Sequence, residues 1–143
     1  MKEYSVGILG ATGAVGQTML KVLAERHFPI SELRLLASSR SAGKKVMFKD
    51  QELTIMEAKE DAFNGLDIVL GAADNAIAKQ FKDAIVNSGA IFIDNSSAFR
   101  LDEDVPLVVP EVNKDDVCLH HGVIANPNCV TIIALTAIQA LHK

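Results

Sequence analysis

The sequence predicts an α/β domain: a mostly parallel, doubly wound sheet with helices on both faces. Short apolar runs alternate with longer helix-compatible segments, the pattern of linked strand–helix–strand units. The first apolar run passes directly into a glycine-rich turn and then a helix. The chain has 143 residues, 49% of them hydrophobic, enough for one compact core.

Taken in order, residues 5–9 read as a short buried strand, and 14–26 as a helix. Residues 33–37 form a second apolar strand that ends in the polar stretch 38–45. The runs 46–48 and 53–56 flank Lys49-Asp50-Gln51-Glu52 and suggest a small hairpin. Residues 67–70 are a further strand, and 75–87 a helix with Ile77, Phe81, Ala84 and Ile85 on its apolar face. Strands follow at 90–93 and 123–125. No repeat or low-complexity segment interrupts the pattern.

The last segment is the most pointed. Asn126-Pro127-Asn128-Cys129 precedes an apolar run to Leu141. Pro127 and Asn128 are helix-start signals, so Cys129 falls in the first turn. Free N–H groups and the helix dipole favour the thiolate there, the reactive form of cysteine. A buried cysteine acting as a small hydrophobe is the competing reading.

Charge and composition narrow the function classes. Net charge is −4, and the largest basic cluster is Lys44-Lys45, which argues against nucleic acid as a partner. No run approaches the ~20 apolar residues of a membrane span, and the N-terminal residues lack signal-peptide character. Cys118 and Cys129 are expected as free thiols in a reducing cytoplasm. Metal-ligand spacings are absent, and the adjacent His120 and His121 would point to opposite faces of a strand.

Gly10, Gly13 and Gly16 form G-x-x-G-x-x-G at the end of the first strand. In a dinucleotide site one such glycine makes the turn, another admits the pyrophosphate to the backbone, and the last lets helix and strand pack closely. The phosphates would meet N–H groups at the helix start. A purely structural turn is the alternative. The second strand ends in Ser38-Ser39-Arg40-Ser41-Ala42-Gly43-Lys44-Lys45, without the acidic residue usual for NAD. Hydroxyls and a guanidinium suit a 2′-phosphate, which favours NADP over an ordinary polar loop.

Five blocks together carry a family resemblance: Gly10-Ala-Thr-Gly-Ala-Val-Gly16, Ser38-Ser-Arg-Ser-Ala-Gly43, Asp94-Asn-Ser-Ser-Ala-Phe-Arg100, Val109-Pro-Glu-Val-Asn113 and Asn126-Pro-Asn-Cys129. In this order they resemble aspartate-semialdehyde dehydrogenase over essentially the whole chain. N-acetyl-glutamyl-phosphate reductases share the glycine turn and a catalytic cysteine, usually in a Gly-Cys-Tyr-type context unlike this one. A non-catalytic NADP-binding or interaction fragment is the other alternative.

The resemblance implies NADPH-dependent reductive dephosphorylation of L-aspartyl-4-phosphate to L-aspartate 4-semialdehyde and phosphate, on the route to lysine, threonine, methionine and diaminopimelate. It implies that Cys129 is the nucleophile, passing through a thioester, with Asn128 beside it orienting substrate or oxyanion. Arg100, with Asn95 from the same block, would hold the substrate phosphate. The alternative for Arg100 is a surface ion pair with Asp102, Glu103 or Asp104. Gly10, Thr12, Gly13, Ala14, Val15, Ser38, Ser39, Arg40, Ser41 and Ala72 match cofactor contacts. Two departures stand out: Gly71-Ala72-Ala73 where Ser-Ala-Gly is common, and Val130 where Ser or Thr usually follows the cysteine.

The resemblance further implies that residues 1–143 are the NADP-binding domain of a homodimeric enzyme. A second domain would supply the general acid/base histidine, a substrate-carboxylate arginine and most of the dimer interface. His27, His120, His121 and His142 are expected in structural or solvent-facing roles. A last helix from that second domain would cover apolar surface on this one, leaving a patch in its absence.

Overall fold

The computed structural model describes residues 2–142. Its centre is a six-stranded sheet in the order β5-β2-β1-β6-β7-β8. The strands are β1 (Tyr4–Leu9), β2 (Ile30–Ala37), β5 (Met56–Glu57), β6 (Ile68–Gly71), β7 (Ile91–Asp94) and β8 (Val123–Ala125), and every neighbouring pair is parallel. From β1 the chain steps outward to β2, then returns to the other side of β1 at β6. That reversal makes the C-terminal ends of β1 and β6 the switch point, where α/β sheets open a crevice for ligands.

Two helices cover opposite faces, as predicted. Helix α1 (Ala14–Glu25) carries Leu20, Met19 and Leu23 onto a core with Ile8, Leu35 and Ile55. Helix α2 (Asn75–Asn87) turns Ala78, Phe81 and Ile85 onto the other core, around Phe63, Val69 and Phe92. Asp74 caps α2 by accepting the Ile77 N–H at 2.9 Å. The alternation of Ile8 and Leu9 between the two cores shows the two-sided burial expected of a parallel strand.

The hairpin is placed as expected but bounded differently. Strands β3 (Lys45–Phe48) and β4 (Gln51–Thr54) pair antiparallel, Val46 opposite Leu53. Met56 leaves that hairpin and pairs with Leu36 of β2, forming the sheet's edge strand β5. Strand β2 begins three residues before the predicted start, because Ile30 pairs with Tyr4. Between β7 and β8 lie a short helix α3 (Pro110–Asn113) and a 3-10 turn, Lys114–Leu119, neither predicted. The Asn113 side chain pins them: its Oδ1 accepts the Val109 N–H and its Nδ2 donates to Leu107 O and Asp116 Oδ2.

The final helix, α4 (Cys129–His142), contains no buried residue. Its apolar side chains stand in solvent: Ile133 is 71% and Leu141 89% exposed. No helix is long and apolar enough to cross a membrane among the described residues.

Candidate functional site

Because the strands run parallel, the segments after β1, β2, β6, β7 and β8 emerge on one edge of the sheet. This places the glycine turn, the 38–45 loop, Ala72, the 95–100 turn and the Cys129 helix start along one rim. Residues far apart in sequence become neighbours through strand order alone.

At the glycine turn the three glycines do different work. Gly10 has φ of +89°, and a Cβ there would lie 2.7 Å from Ala72 O. Gly16 packs against the turn, where a Cβ would come within 2.8 Å of Ala11 Cα. Gly13 has φ of −76°, and a Cβ would meet only Gly10 O at 3.6 Å. The packing of the turn therefore does not itself require a glycine at 13. Helix α1 begins there with no side-chain cap and no acidic residue in its first turn. Its N–H groups are open to an anion, and the cradle fits a dinucleotide pyrophosphate.

A cleft of about 430 Å³ adjoins this turn. Gly10, Thr12, Gly13, Ser38 and Ser39 line it. Glu57, Gln80, Ile77 and Phe81 line it too, and sequence reasoning missed all four. Glu57 ends β5, beside β2, and pairs with Lys59 at 3.1 Å. A carboxylate therefore does stand near the second strand's end, though not on the 38–45 loop. Arg40 and Ser41 lie on that loop but not among the cleft's lining residues, and Arg40 is exposed. A second, more apolar groove runs along α1, lined by Ala14, Val15, Met19, Val22, Leu70 and Asn95. Candidate cofactor residues thus divide between two depressions on either side of the turn.

The substrate candidates form a separate cluster. Arg100 is half-buried; its Nε donates to Asn126 O at 2.8 Å and its Nη2 to Asn95 O at 3.0 Å. Asn126 Nδ2 donates to Asn95 Oδ1 at 2.7 Å. Among the described residues Arg100 makes no ion pair with Asp102, Glu103 or Asp104, so the surface-pair alternative is not realised. Three residues beyond Asn126, Cys129 occupies the first position of α4, exposed and free, as the helix-start reading expects. Asn128 Oδ1 accepts the Val130 N–H at 2.9 Å, the geometry of an N-cap. Cys118 is also free and exposed. His120 is in a structural role, its Nδ1 accepting the Gly122 N–H at 2.9 Å.

Residues 5–120 match the family described as semialdehyde dehydrogenase, NAD binding domain. The chain belongs to the semialdehyde dehydrogenase family. Within it, this domain is 52% identical over 138 residues to the aspartate-semialdehyde dehydrogenase of Bacillus subtilis, covering 96% of the chain and 40% of that relative. The crystal structure of aspartate semialdehyde dehydrogenase II from Vibrio cholerae, complexed with ASA, superposes with a TM-score of 0.94 at 42% identity, over 99% of this chain and 47% of that one. The Candida albicans aspartate semialdehyde dehydrogenase, solved with NADP, gives 0.78 at 30% identity, over 96% of this chain and 46% of that one. This semialdehyde dehydrogenase domain therefore spans about two fifths of the length of the curated relatives it matches.

Proposed function

We propose that the chain is the nucleotide-binding domain of an NADP-dependent aspartate-semialdehyde dehydrogenase. The whole protein would reduce L-aspartyl-4-phosphate to L-aspartate 4-semialdehyde, releasing phosphate. What carries this reading is an exposed thiol at the first position of a capped helix, on the same sheet rim as an open glycine turn. The substrate and the cofactor are taken from the relatives, which are aspartate-semialdehyde dehydrogenases, one solved with ASA and one with NADP.

The chemistry suits those groups. The Cys129 thiolate attacks the acyl-phosphate carbonyl carbon, the carbon–oxygen bond to phosphate breaks, and a thioester remains. NADPH supplies the hydride that reduces this thioester, after which the carbon–sulfur bond breaks and the thiolate is restored. The Asn128 amide and the first-turn N–H groups of α4 that the cap leaves free would serve the oxygen that becomes anionic. Arg100 offers Nη1, which makes no hydrogen bond among the described residues, to the phosphate, with Asn95 beside it. Gly10, Thr12 and Gly13 would hold the pyrophosphate, and Ser38, Ser39, Arg40 and Ser41 would meet the 2′-phosphate. The remaining part of the protein, a second domain and a homodimer partner, would complete the acid/base and carboxylate-binding groups.

Cys129→Ala in the whole protein tests the reading. Phosphate-dependent reduction of NADP with the semialdehyde should fall by about 10³-fold or more, with NADP affinity unchanged. Retained turnover in that variant overturns it.

A further inference from the structure

Among the described residues Asp94 is the one charged or polar residue that is buried, with 0% exposure, and the proposed chemistry does not use it. It ends β7. Its Oδ2 accepts the Ser96 hydroxyl at 2.5 Å, and the Ser96 Oγ in turn accepts the Ala98 N–H at 3.1 Å. Its Oδ1 has no hydrogen-bond partner among the described residues. Against that bare oxygen stands Gly71 of β6, where a Cβ would lie 2.6 Å from Oδ1 and 2.8 Å from the Phe92 ring. The neighbouring strand has thus given up a side chain to make room for a carboxyl group.

An oxygen buried without a partner is costly. A Ser or Asn at 94 would receive the Ser96 hydroxyl without desolvating a charge, so turn-capping alone does not account for a carboxylate. What the carboxylate adds is a negative charge beneath the turn that ends at Arg100. The Arg100 charge favours the ionised carboxyl, as the smallest of the influences on it, although the two groups form no contact ion pair. The connections run the same way. Asp94 O accepts the Asn126 N–H at 2.9 Å, Asn95 N donates to Gly71 O at 3.2 Å, and Arg100 grips the carbonyls of Asn95 and Asn126. The ends of β6, β7 and β8 and the guanidinium are one network with Asp94 at its root.

We propose that Asp94 is a positioning residue for Arg100: with Ser96 it fixes the 95–100 turn so that the guanidinium keeps two donors on the Asn95 and Asn126 carbonyls and presents Nη1 to a phosphate. Gly71 is the matching residue on β6 that leaves space for it. The inference rests on the phosphate role given to Arg100 under the proposed function.

The test uses the whole enzyme, with inorganic phosphate as the varied substrate in the acyl-phosphate-forming direction. Asp94→Asn should raise the KM for phosphate about tenfold, with kcat within about twofold and the KM for NADP unchanged. Arg100→Ala should raise it at least as far, and the double variant should be no worse than Arg100→Ala alone, because both changes remove one function. An unchanged phosphate KM in Asp94→Asn, or effects that multiply in the double variant, would overturn the proposal. Should Asp94→Asn not fold, Ser96→Ala carries the test: it should reproduce the rise in phosphate KM and Ser96→Thr should restore it, and a Ser96→Ala enzyme with parental KM sinks the idea. If Arg100→Ala leaves the phosphate KM untouched, it is the phosphate reading that fails. A crystal structure of Asp94→Asn, or of Ser96→Ala, then decides the positioning role by itself: loss of either Arg100–carbonyl contact supports it, and retention of both overturns it.

Discussion

Burial pushes the Asp94 carboxyl above its ordinary value of 3.8, against the opposing pull of the Ser96 hydrogen bonds and the Arg100 charge. A raised value means that this carboxyl is harder to ionise in the fold than in the unfolded chain. The stability this group contributes is therefore fully present below 3.8 and is lost as pH rises through the raised value. Asparagine does not titrate. The stability of Asp94→Asn relative to the parent should accordingly climb from acid to neutral pH, a trend that urea denaturation at several pH values will read directly. A difference that is flat with pH would mean that the buried carboxyl is ionised at no cost. A more stable variant with poorer phosphate binding would be the usual exchange of stability for a working site. Arg40 presents the opposite case, an exposed charge whose role depends on a ligand. Arg40→Ala should weaken NADPH by about tenfold while leaving NADH nearly unchanged, since only the former brings a 2′-phosphate. Fluorescence titration with both nucleotides separates the cases; equal losses would remove Arg40 from the 2′-phosphate site and turn attention to Ser38, Ser39 and the nearby Glu57.

Among the elements, the glycine turn allows one prediction that separates packing from binding. Gly16→Ala must push a methyl group into the Ala11 backbone, 2.8 Å away, and should destabilise the domain by about 1–3 kcal/mol. Gly13→Ala meets nothing closer than 3.6 Å at an ordinary φ, so thermal unfolding should be unchanged or slightly later while cofactor affinity falls. If both substitutions affect stability alike and neither affects the cofactor, the turn is structural only. This difference between the glycines also marks how far the sequence is legible. Spacing alone identifies the turn, because strand, glycines and helix are consecutive. Spacing cannot tell which glycine packs and which is left open, since that depends on Ala72 and Ala11 facing them across the fold. The same limit explains the hairpin. Residues 45–54 pair locally and are readable as such, whereas the two-residue strand β5 exists only because Leu36 of β2 lies beside Met56. Asn128 and Cys129 were legible because a helix start is a local signal. Glu57, Gln80 and Phe81 were not, because the cleft they line is assembled from separate elements.

For the molecule as a whole, the distribution of apolar surface is the decisive feature. Strands β1, β6, β7 and β8 and helix α2 bury most of their large apolar side chains, yet α4 buries none, and Val130, Ile133, Ile138 and Leu141 are 59% to 89% exposed. The groove along α1, with Val15 and Val22 at 51% and 44% exposure, is a second uncovered area. Surfaces of this kind are ordinarily covered by further chain or by a partner. The sequence reading expected such a patch through family resemblance. It could not foresee that α4 itself would stand bare, since an apolar helix of this composition reads equally well as core. The 143-residue chain alone should therefore associate with itself as concentration rises, which sedimentation at several loading concentrations will show. Replacing Ile133 and Leu141 by Lys should shift it toward monomer without altering the fold, because neither side chain packs on the core. The same chain should show no phosphate-linked turnover of aspartate semialdehyde, whatever its association state. Under the proposed function Cys129 and Arg100 would hold one side of the substrate, and the histidines lie elsewhere: His120 accepts from Gly122, His27 and His121 precede β2 and β8 at the opposite ends of those strands, and His142 ends α4. Steady production of NADPH by the purified chain with semialdehyde and phosphate would show that the rim by itself is a complete active site, and that the apolar surface serves another purpose.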